Sequence, residues 1–246
     1  MNFSAGYIND INSRAVLINS RAVLLLQQNR PKDAIGWLRR GLTNLASIEQ
    51  VTYDAQQQNV LTRHASLKCI DNMVAEDEEE RPAYSVEIPE VRDTVISDSP
   101  DNVFVVFNRA FHLSDDGVKT AAHSAKASAT LLYNMGLAWQ HLGAQENNTE
   151  ALKKALFAYE RAYSALSLQC NDSFSCLVML ALCNNMAHIH SHFFNLEEAK
   201  HCRDLIPHIL ACSSAGNSSM AADDYAFFLS EAMLLEGQDL KFAPAA

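Results

Sequence analysis

A short histidine-rich run is the part of this sequence that most resembles a catalytic or metal site. His188 and His192 are one helical turn apart, so their imidazoles could share one metal ion. The zinc-hydrolase pattern also needs a glutamate directly after the first histidine as general base, and Ile189 stands there. Cys183 and His201 could add ligands, but their spacing does not require it. We therefore expect no metal site, and a metal-dependent enzyme that uses His188 and His192 is kept as an alternative.

Other catalytic patterns are missing from the sequence. The eight glycines are scattered and form neither Gly-x-Gly-x-x-Gly nor Gly-x-x-x-x-Gly-Lys, so we expect no nucleotide-binding loop. The hydrolase pattern Gly-x-Ser-x-Gly does not occur. Cys170 and Cys176 flank a short turn segment, but only acidic residues lie near them in the sequence, and acids do not activate thiols. The sequence therefore predicts a protein that is not an enzyme and binds no cofactor.

The composition indicates a folded protein whose partners are neither nucleic acids nor membranes. Hydrophobic residues make up 48% of the 246 positions and charged residues 20%, a balance typical of globular proteins. The formal net charge of -10 repels phosphate backbones and anionic lipids. The longest apolar stretches are far shorter than the roughly 20 residues that span a bilayer. The first residues lack a signal-peptide pattern and the six cysteines lack tandem pairing, so we expect a cytoplasmic or nuclear protein.

Apolar residues recur at helical spacing in three segments, each interrupted once by a polar break. The first segment runs from Ile18 to about Leu45 and breaks at Asn29-Arg30-Pro31, where the proline suits the first turn of a second helix. The second segment begins at Thr130 and breaks at a polar tip, Gln145 to Asn148. Extra helical turns follow that tip, and Thr149 is the expected N-cap. Both segments predict two antiparallel helices joined by a turn.

The third segment has the same form with weaker signals. It starts at Leu182, breaks near Phe194-Asn195 and continues to Ile206. Pro207 follows at once, and we expect it to kink or fray the second helix.

These three segments resemble the tetratricopeptide repeat, a helix–turn–helix unit of about 34 residues. The resemblance depends on small residues where helices touch and on large residues that wedge between them. The small residues are Ala22, Gly136 and Ala187 in the first helices and Ala34, Ala155, Ala199, Gly41 and Ala162 in the second, with Ile206 a departure. The large residues are Leu25, Trp139, Leu38 and Tyr159, with His190 and Arg203 as unusual members.

The regions outside the three segments resemble a divergent type of these repeat proteins that is common in diatoms. In that type a charged insert follows the first unit and an aromatic-rich helix closes the chain. The insert here contains the acidic run Glu76 to Pro82, which is typical of a solvated loop. Val86 to Ile88 and Val103 to Phe107 predict one short hairpin or extended arm, without a real sheet.

The N-terminal region contains a perfect internal copy, because Ile11 to Leu17 and Ile18 to Leu24 have the same sequence. Seven residues are close to two helical turns, so the copy keeps one helix face turned inward. We expect one long first helix from about Tyr7 to Gln28. Two heptads are too few for a coiled coil, so we expect a monomer.

Together these features predict an all-α fold, a right-handed α-solenoid of antiparallel helix pairs with an irregular acidic insert and a C-terminal capping helix. We expect a single domain over residues 1–246. The N-terminal helices and the first unit would occupy residues 1–70, the insert residues 71–110, the second and third units residues 111–212, and the capping helix residues 220–237.

The resemblance implies a binding surface, because the first helices of successive tetratricopeptide units line a concave groove that holds peptides. On this sequence the implied groove residues are Asn19, Val23, Leu26, Gln27, Tyr133, Leu137, Gln140, His141, Asn184, His188, Ser191 and His192. Apolar anchors mixed with amides and imidazoles suit a peptide ligand. Two alternatives remain open: the chain's own insert fills the groove, or the chain is a structural subunit of a larger assembly.

One specialty implied by the family does not fit. Members that clamp acidic chaperone tails use paired lysines, arginines and asparagines on these helices. Here Asn19, Asn134 and Asn184 or Asn185 supply amides, but the matching lysines are missing. We therefore predict a scaffold or adaptor that binds an unidentified protein or peptide through the groove or the acidic insert.

Overall fold

The computed structural model describes residues 3–46, 85–89, 105–113, 121–166, 172–215 and 220–239. Within these ranges the chain is mostly helical, which confirms the predicted all-α character. The helices are α1 (Phe3–Gln27), α2 (residues 31–46), α3 (Ala121–Glu146), α4 (Thr149–Leu166), α5 (Ser173–His192), α6 (Leu196–Ala215) and α7 (Ala222–Asp239). The strands are β1 (Ser85–Glu87) and β2 (Arg109–Phe111). The acidic run Glu76 to Pro82 and Cys170 lie outside the described residues.

The turns that join α1 to α2, α3 to α4 and α5 to α6 share one backbone conformation. Each contains one non-glycine residue in the left-handed region, with φ of 55° at Asn29, 48° at Asn147 and 59° at Phe194. The amide of the following residue bonds to a carbonyl five residues earlier, at 2.8 Å, 2.8 Å and 2.9 Å respectively. This is the Schellman closure, which satisfies carbonyls that the helix end leaves without partners.

The residue after each left-handed position begins the next helix. The carbonyls of Arg30, Asn148 and Asn195 each accept a bond from the amide four residues later. At α4 the side chain of Asn148 also accepts from Ala151 N, at 3.1 Å. The N-cap of α4 is therefore Asn148, and the prediction of Thr149 is wrong because Thr149 is already the first helical residue.

Small residues allow the helices to approach one another closely. A Cβ atom on Gly136 of α3 would lie 2.5 Å from the Tyr159 ring of α4. A Cβ atom on Gly41 of α2 would lie 3.1 Å from side-chain atoms of both Ile18 and Leu131. All eight small positions quoted for the repeat resemblance are buried.

The duplicated heptads of α1 behave as predicted. Equivalent residues Ala15 and Ala22 are 2% and 0% exposed, whereas equivalent residues Leu17 and Leu24 are 69% and 41% exposed. The copy therefore turns the same helix face inward twice, which confirms the prediction.

The two strands form an antiparallel ladder in which Ser85 lies opposite Phe111 and Glu87 opposite Arg109. The first strand lies one residue earlier than the predicted range Val86 to Ile88. This short ladder agrees with the predicted hairpin. The second strand lies at Arg109–Phe111 and not at Val103 to Phe107, of which the structure describes only residues 105–107, outside any strand. The backbone of Phe107 bonds a helix side chain instead of β1, so the ladder forms later in the chain.

The C-terminal helices differ slightly from expectation. Helix α6 continues past Pro207 to Ala215, so the predicted fraying does not occur. Pro207 is exposed, while Ile206 and Leu210 on either side of it are buried and keep α6 packed. Helix α7 begins and ends two residues later than predicted. In the ranges that the structure describes, no helix has the length and apolar character needed to cross a membrane.

Candidate functional site

Three helices hold one extended segment of the same chain. This bound segment, residues 105–113, includes β2. Asn19 of α1, Asn134 of α3 and Asn185 of α5 all hydrogen bond its backbone. We call the surface of α1, α3 and α5 that contacts the bound segment the inner face.

Asn185 contacts both backbone polar groups of Phe107. The Phe107 amide donates to Asn185 Oδ1 at 2.9 Å, and Asn185 Nδ2 donates to the Phe107 carbonyl at 3.2 Å. Its neighbour Asn184 donates to the carbonyl of Val105 at 2.8 Å. One turn of α5 therefore fixes the start of the bound segment.

Asn134 holds Phe111 in the same way. The Phe111 amide donates to Asn134 Oδ1 at 3.0 Å, and Asn134 Nδ2 donates to the Phe111 carbonyl at 2.8 Å. That carbonyl also accepts from Asn19 Nδ2 at 2.9 Å, and Asn19 Oδ1 accepts from Asn134 Nδ2 at 2.8 Å. Two bidentate asparagines thus bind residues four positions apart along the segment.

The two edges of the bound segment have different partners. In an extended chain the backbone groups of successive residues point to opposite edges. The bonded groups of Val105, Phe107 and Phe111 belong to one edge, which faces the asparagines. On the other edge the carbonyl of Asn108 accepts from Ile88 N at 3.1 Å, next to β1. Asparagine side chains thus replace a neighbouring strand on the helix side.

Two buried tyrosines extend the polar network beneath the segment. Tyr133 Oη lies 3.1 Å from the carbonyls of both Phe107 and Arg109, and it donates its single proton toward this pair. Tyr159 Oη accepts from Asn185 Nδ2 at 3.3 Å and donates to Gln140 Oε1 at 2.8 Å. Burial raises the pKa of both phenols, so they remain neutral donors.

The histidines near the site are also neutral. His141 Nε2 lies 2.6 Å from Asn108 Oδ1, and Asn108 Nδ2 donates to the Ile88 carbonyl at 2.7 Å. Burial lowers the pKa of His141 to about 4. Burial, with a smaller contribution from His192, lowers the pKa of His188 to about 4. The inner face therefore binds the segment with neutral groups.

Aromatic contacts bury the side chains of Phe107 and Phe111. The Phe107 ring lies 4.9 Å from the Phe228 ring and 5.3 Å from the Phe227 ring of α7. The Phe111 ring lies 4.9 Å from Tyr133 and 5.9 Å from the ring of Phe174. Both phenylalanines are essentially inaccessible to solvent, so they anchor the segment.

Between the two phenylalanines, Arg109 forms an ion pair with α7. Arg109 Nη1 lies 3.2 Å from Asp224 Oδ1, and the Asp224 side chain is only 2% exposed. Ser85 Oγ donates to Asp224 Oδ2 at 3.4 Å. Burial raises the pKa of Asp224, while Arg109 and Ser85 act in the opposite direction.

Four of the predicted groove residues contact the bound segment directly. They are Asn19, Tyr133, His141 and Asn184. Gln140 Nε2 lies 3.3 Å from His188 Nδ1, and the pair continues the network away from the segment.

The other predicted groove residues have different surroundings. Val23, Leu26 and Leu137 are buried in the hydrophobic core. Gln27 is exposed, while Ser191 and His192 are partly exposed at the end of α5. Tyr133 and Leu137 are both fully buried, so charged substitutions there would test folding instead of ligand binding.

The structure agrees with the open alternative that the chain's own insert fills the groove, because residues 105–110 of the expected insert lie on the inner face. Sequence reasoning missed the continuation of the bound segment to Phe111 and the role of Asp224. From the sequence alone, Asn134 and Asn185 have no assigned role beyond possible amides for an acidic tail. For Asn185 a signal was available, because Asn184 and Asn185 interrupt the apolar stretch of α5 and buried amides need partners. Arg109 and Asp224 carried no motif. The available signal was the placement of Asp224, Phe227 and Phe228 on one face of the predicted capping helix.

The histidine-rich run has ordinary helix contacts where they are described. In the described ranges no group of three or more histidine, cysteine or acidic side chains is placed to hold a metal ion. Cys183 is buried in the core. The metal-site alternative stays an untested prediction.

The inner face thus combines buried amides, neutral phenols and aromatic contacts around an extended backbone. No family model, curated protein or solved structure matches the chain.

Proposed function

We propose that this chain is a non-enzymatic interaction scaffold that binds extended peptides across its inner face. The observation that carries the proposal is the pair of bidentate contacts that Asn185 and Asn134 make with Phe107 and Phe111. Contacts to backbone groups do not depend on ligand sequence, and pockets for alternate side chains then supply specificity. Domains that bind a peptide as an added β-strand at a sheet edge also obtain affinity from backbone bonds and specificity from side-chain pockets.

The proposal takes the helix pairs as tetratricopeptide-like units of a right-handed solenoid that α7 closes. The shared Schellman turns and the buried small residues support this interpretation. Contacts between successive turns also support it: Gln145 donates to Asn29, and Lys32 Nζ lies 2.6 Å from Glu146 Oε1. These contacts are solvent-exposed, so they indicate stacking and add little stability.

In this proposal the bound segment is an intramolecular occupant of the ligand site. Asn19, Asn134 and Asn185 are fully buried, and buried amides without partners cost about 1–3 kcal/mol each. The inner face therefore needs a backbone against it at all times. A segment tethered to the scaffold has an effective concentration of about millimolar, so a partner must compete with it.

A peptide supplied in trans tests the proposal. The probe is the labelled nonapeptide with the sequence of residues 105–113, added to the full chain carrying Phe107→Leu and Phe111→Leu. These substitutions weaken the aromatic contacts of the chain's own segment and leave the sequences of the helices unchanged. We expect saturable binding by fluorescence anisotropy and a rise in Tm with peptide concentration, since a ligand that binds only the folded state stabilises it. The wild-type chain should bind at least about tenfold more weakly because its own segment competes.

Two controls make the result decisive. The peptide with alanine in place of both phenylalanines should not bind. Circular dichroism establishes whether the leucine variant folds, and the single variant Phe111→Leu replaces it if not. A folded variant that binds no peptide would contradict the proposed function.

A further inference from the structure

We infer that the partner peptide carries an aromatic–x–arginine–x–aromatic pattern, and that Asp224 selects the arginine. This deepens the proposed function and rests on it. The bound segment shows the pattern as Phe107, Arg109 and Phe111, and the surfaces around it are complementary to each side chain.

The geometry of an extended chain places these three side chains together. Alternate residues of a strand point to the same face and are about 6.6 Å apart. Phe107 and Phe111 are buried on either side of Arg109. A ligand with an odd number of residue steps between two of these side chains would turn one of them to the opposite face.

Helix α7 supplies two of the three complementary contacts. Asp224, Phe227 and Phe228 are three and four residues apart, so they share one face of α7. Phe227 and Phe228 contact the Phe107 ring, and the Asp224 carboxylate contacts Arg109. Helix α7 therefore completes the ligand site and is more than a cover for the last apolar face.

The burial of Asp224 makes the central position selective. A carboxylate that is 2% exposed loses most of its hydration, and only a cation with good geometry compensates that loss. A peptide with a neutral central residue would leave the carboxylate unpaired. Arginine fits better than lysine because its planar guanidinium can donate two parallel bonds to one carboxylate.

Arg109 of the bound segment does not form two parallel hydrogen bonds with Asp224. Asp224 Oδ1 accepts no hydrogen bond, and the buried Nε atom of Arg109 donates none. The Arg109 Nη1 contact at 3.2 Å is an ion pair without hydrogen-bond geometry. Pairing with β1 fixes the backbone of Arg109, opposite Glu87, and a free peptide does not have this restriction. A partner with the same pattern can therefore form a better bidentate pair and displace the bound segment.

The experiment uses four peptides with the sequence of residues 105–113 that carry arginine, lysine, alanine or glutamate at the position of Arg109. Each is titrated into the full chain with Phe107→Leu and Phe111→Leu, and into the same chain with Asp224→Asn added. We expect the arginine peptide to bind about tenfold or more tightly than the alanine peptide, with lysine between them and glutamate weakest. The arginine preference should fall to near unity with Asp224→Asn. Asp223→Asn, at the neighbouring exposed acid, is the matched control and should keep the preference.

The outcomes separate the two proposals. If the arginine and alanine peptides bind equally to the chain with intact Asp224, the inference is overturned while the proposed function stands. If arginine is preferred but Asp224→Asn leaves the preference unchanged in a folded chain, Asp224 is not the selecting group and the inference is again overturned. If no peptide binds, the proposed function fails. Should Asp224→Asn not fold, the comparison of peptides on the intact chain still decides the arginine preference.

Discussion

Helices α4 and α5 are similar in length and pack together, yet they bury different kinds of residues. All buried residues of α4 are alanine, leucine or tyrosine. Helix α5 also buries Ser175, Asn184, Asn185 and His190. A helix can keep a buried amide only where a partner satisfies it. Ser175 and His190 have partners near the helix ends, Asp172 and Asn195. Asn184 and Asn185 instead bond the backbone of the bound segment, so they mark the side of α5 that faces it.

The largest expected effect comes from removing the side-chain amide of Asn185 on α5. Asn185→Ala leaves the amide and carbonyl of Phe107 without their bonds to the side chain. We expect the free energy of unfolding, measured in urea, to fall by about 3 kcal/mol, because the buried Phe107 amide loses its acceptor and the Phe107 carbonyl keeps only Tyr133. Asn184→Ala loses a single bond to the segment and should cost about 1 kcal/mol. Equal costs at the two positions would mean that the bidentate contact has no special role.

A smaller effect should appear in the pH dependence of stability. His141 on α3 titrates near 6.5 when unfolded and has a pKa of about 4 when folded. Between these values the unfolded chain takes up a proton that the folded chain does not, so stability falls as pH falls. We expect the His141→Gln variant to lose about 2 kcal/mol less than the wild type between pH 7 and pH 5.

The comparison with His141→Gln isolates the contribution of His141 to the pH dependence of stability, since glutamine retains an N–H donor for Asn108. His188 acts in the same direction as His141, because burial lowers its pKa as well. Glu231 acts in the opposite direction, because burial raises its pKa to about 7 and the folded state then binds the extra proton. Both contributions are common to wild type and variant. Parallel pH curves from urea denaturation would show that His141 is accessible to protons in the folded state.

The smallest effect belongs to the one polar group that α4 buries. Tyr159→Phe removes the hydroxyl that donates to Gln140 and accepts from Asn185, but it keeps the ring beside Gly136. We expect a loss of about 1 kcal/mol in thermal or urea unfolding. A loss as large as that of Asn185→Ala would show that the network, and not the contact with the segment, dominates stability.

The helix pairs were predictable because local signals agree with one another. The duplicated heptads placed the same face of α1 inward, and Pro31 marked the start of α2. The three turns were located from polar breaks. Their shared left-handed residue was not found, because Phe194 is an unusual residue for that conformation.

The sequence left open that the chain's own insert fills the inner face, but it could not decide this or show which residues do so. Asn19 and Phe111 are far apart in the chain, so no local pattern connects them. Helical periodicity indicates which residues face inward, but it does not distinguish a face open to solvent from one that another segment covers. Asp224 looked like an ordinary acid in the first turn of α7, where acids are favourable in any helix.

Hydrogen exchange at the amides of Phe107 and Phe111 tests the central claim most directly. Both amides bond only to asparagine side chains of the inner face among the described contacts. In the wild-type chain we expect them to exchange together, through an opening of lower free energy than that of the central α5 amides. Excess nonapeptide of residues 105–113 should accelerate their exchange and leave α5 protected. Exchange of Phe107 and Phe111 only through global unfolding, unchanged by peptide, would show that the segment is a permanent part of the core and contradict the account.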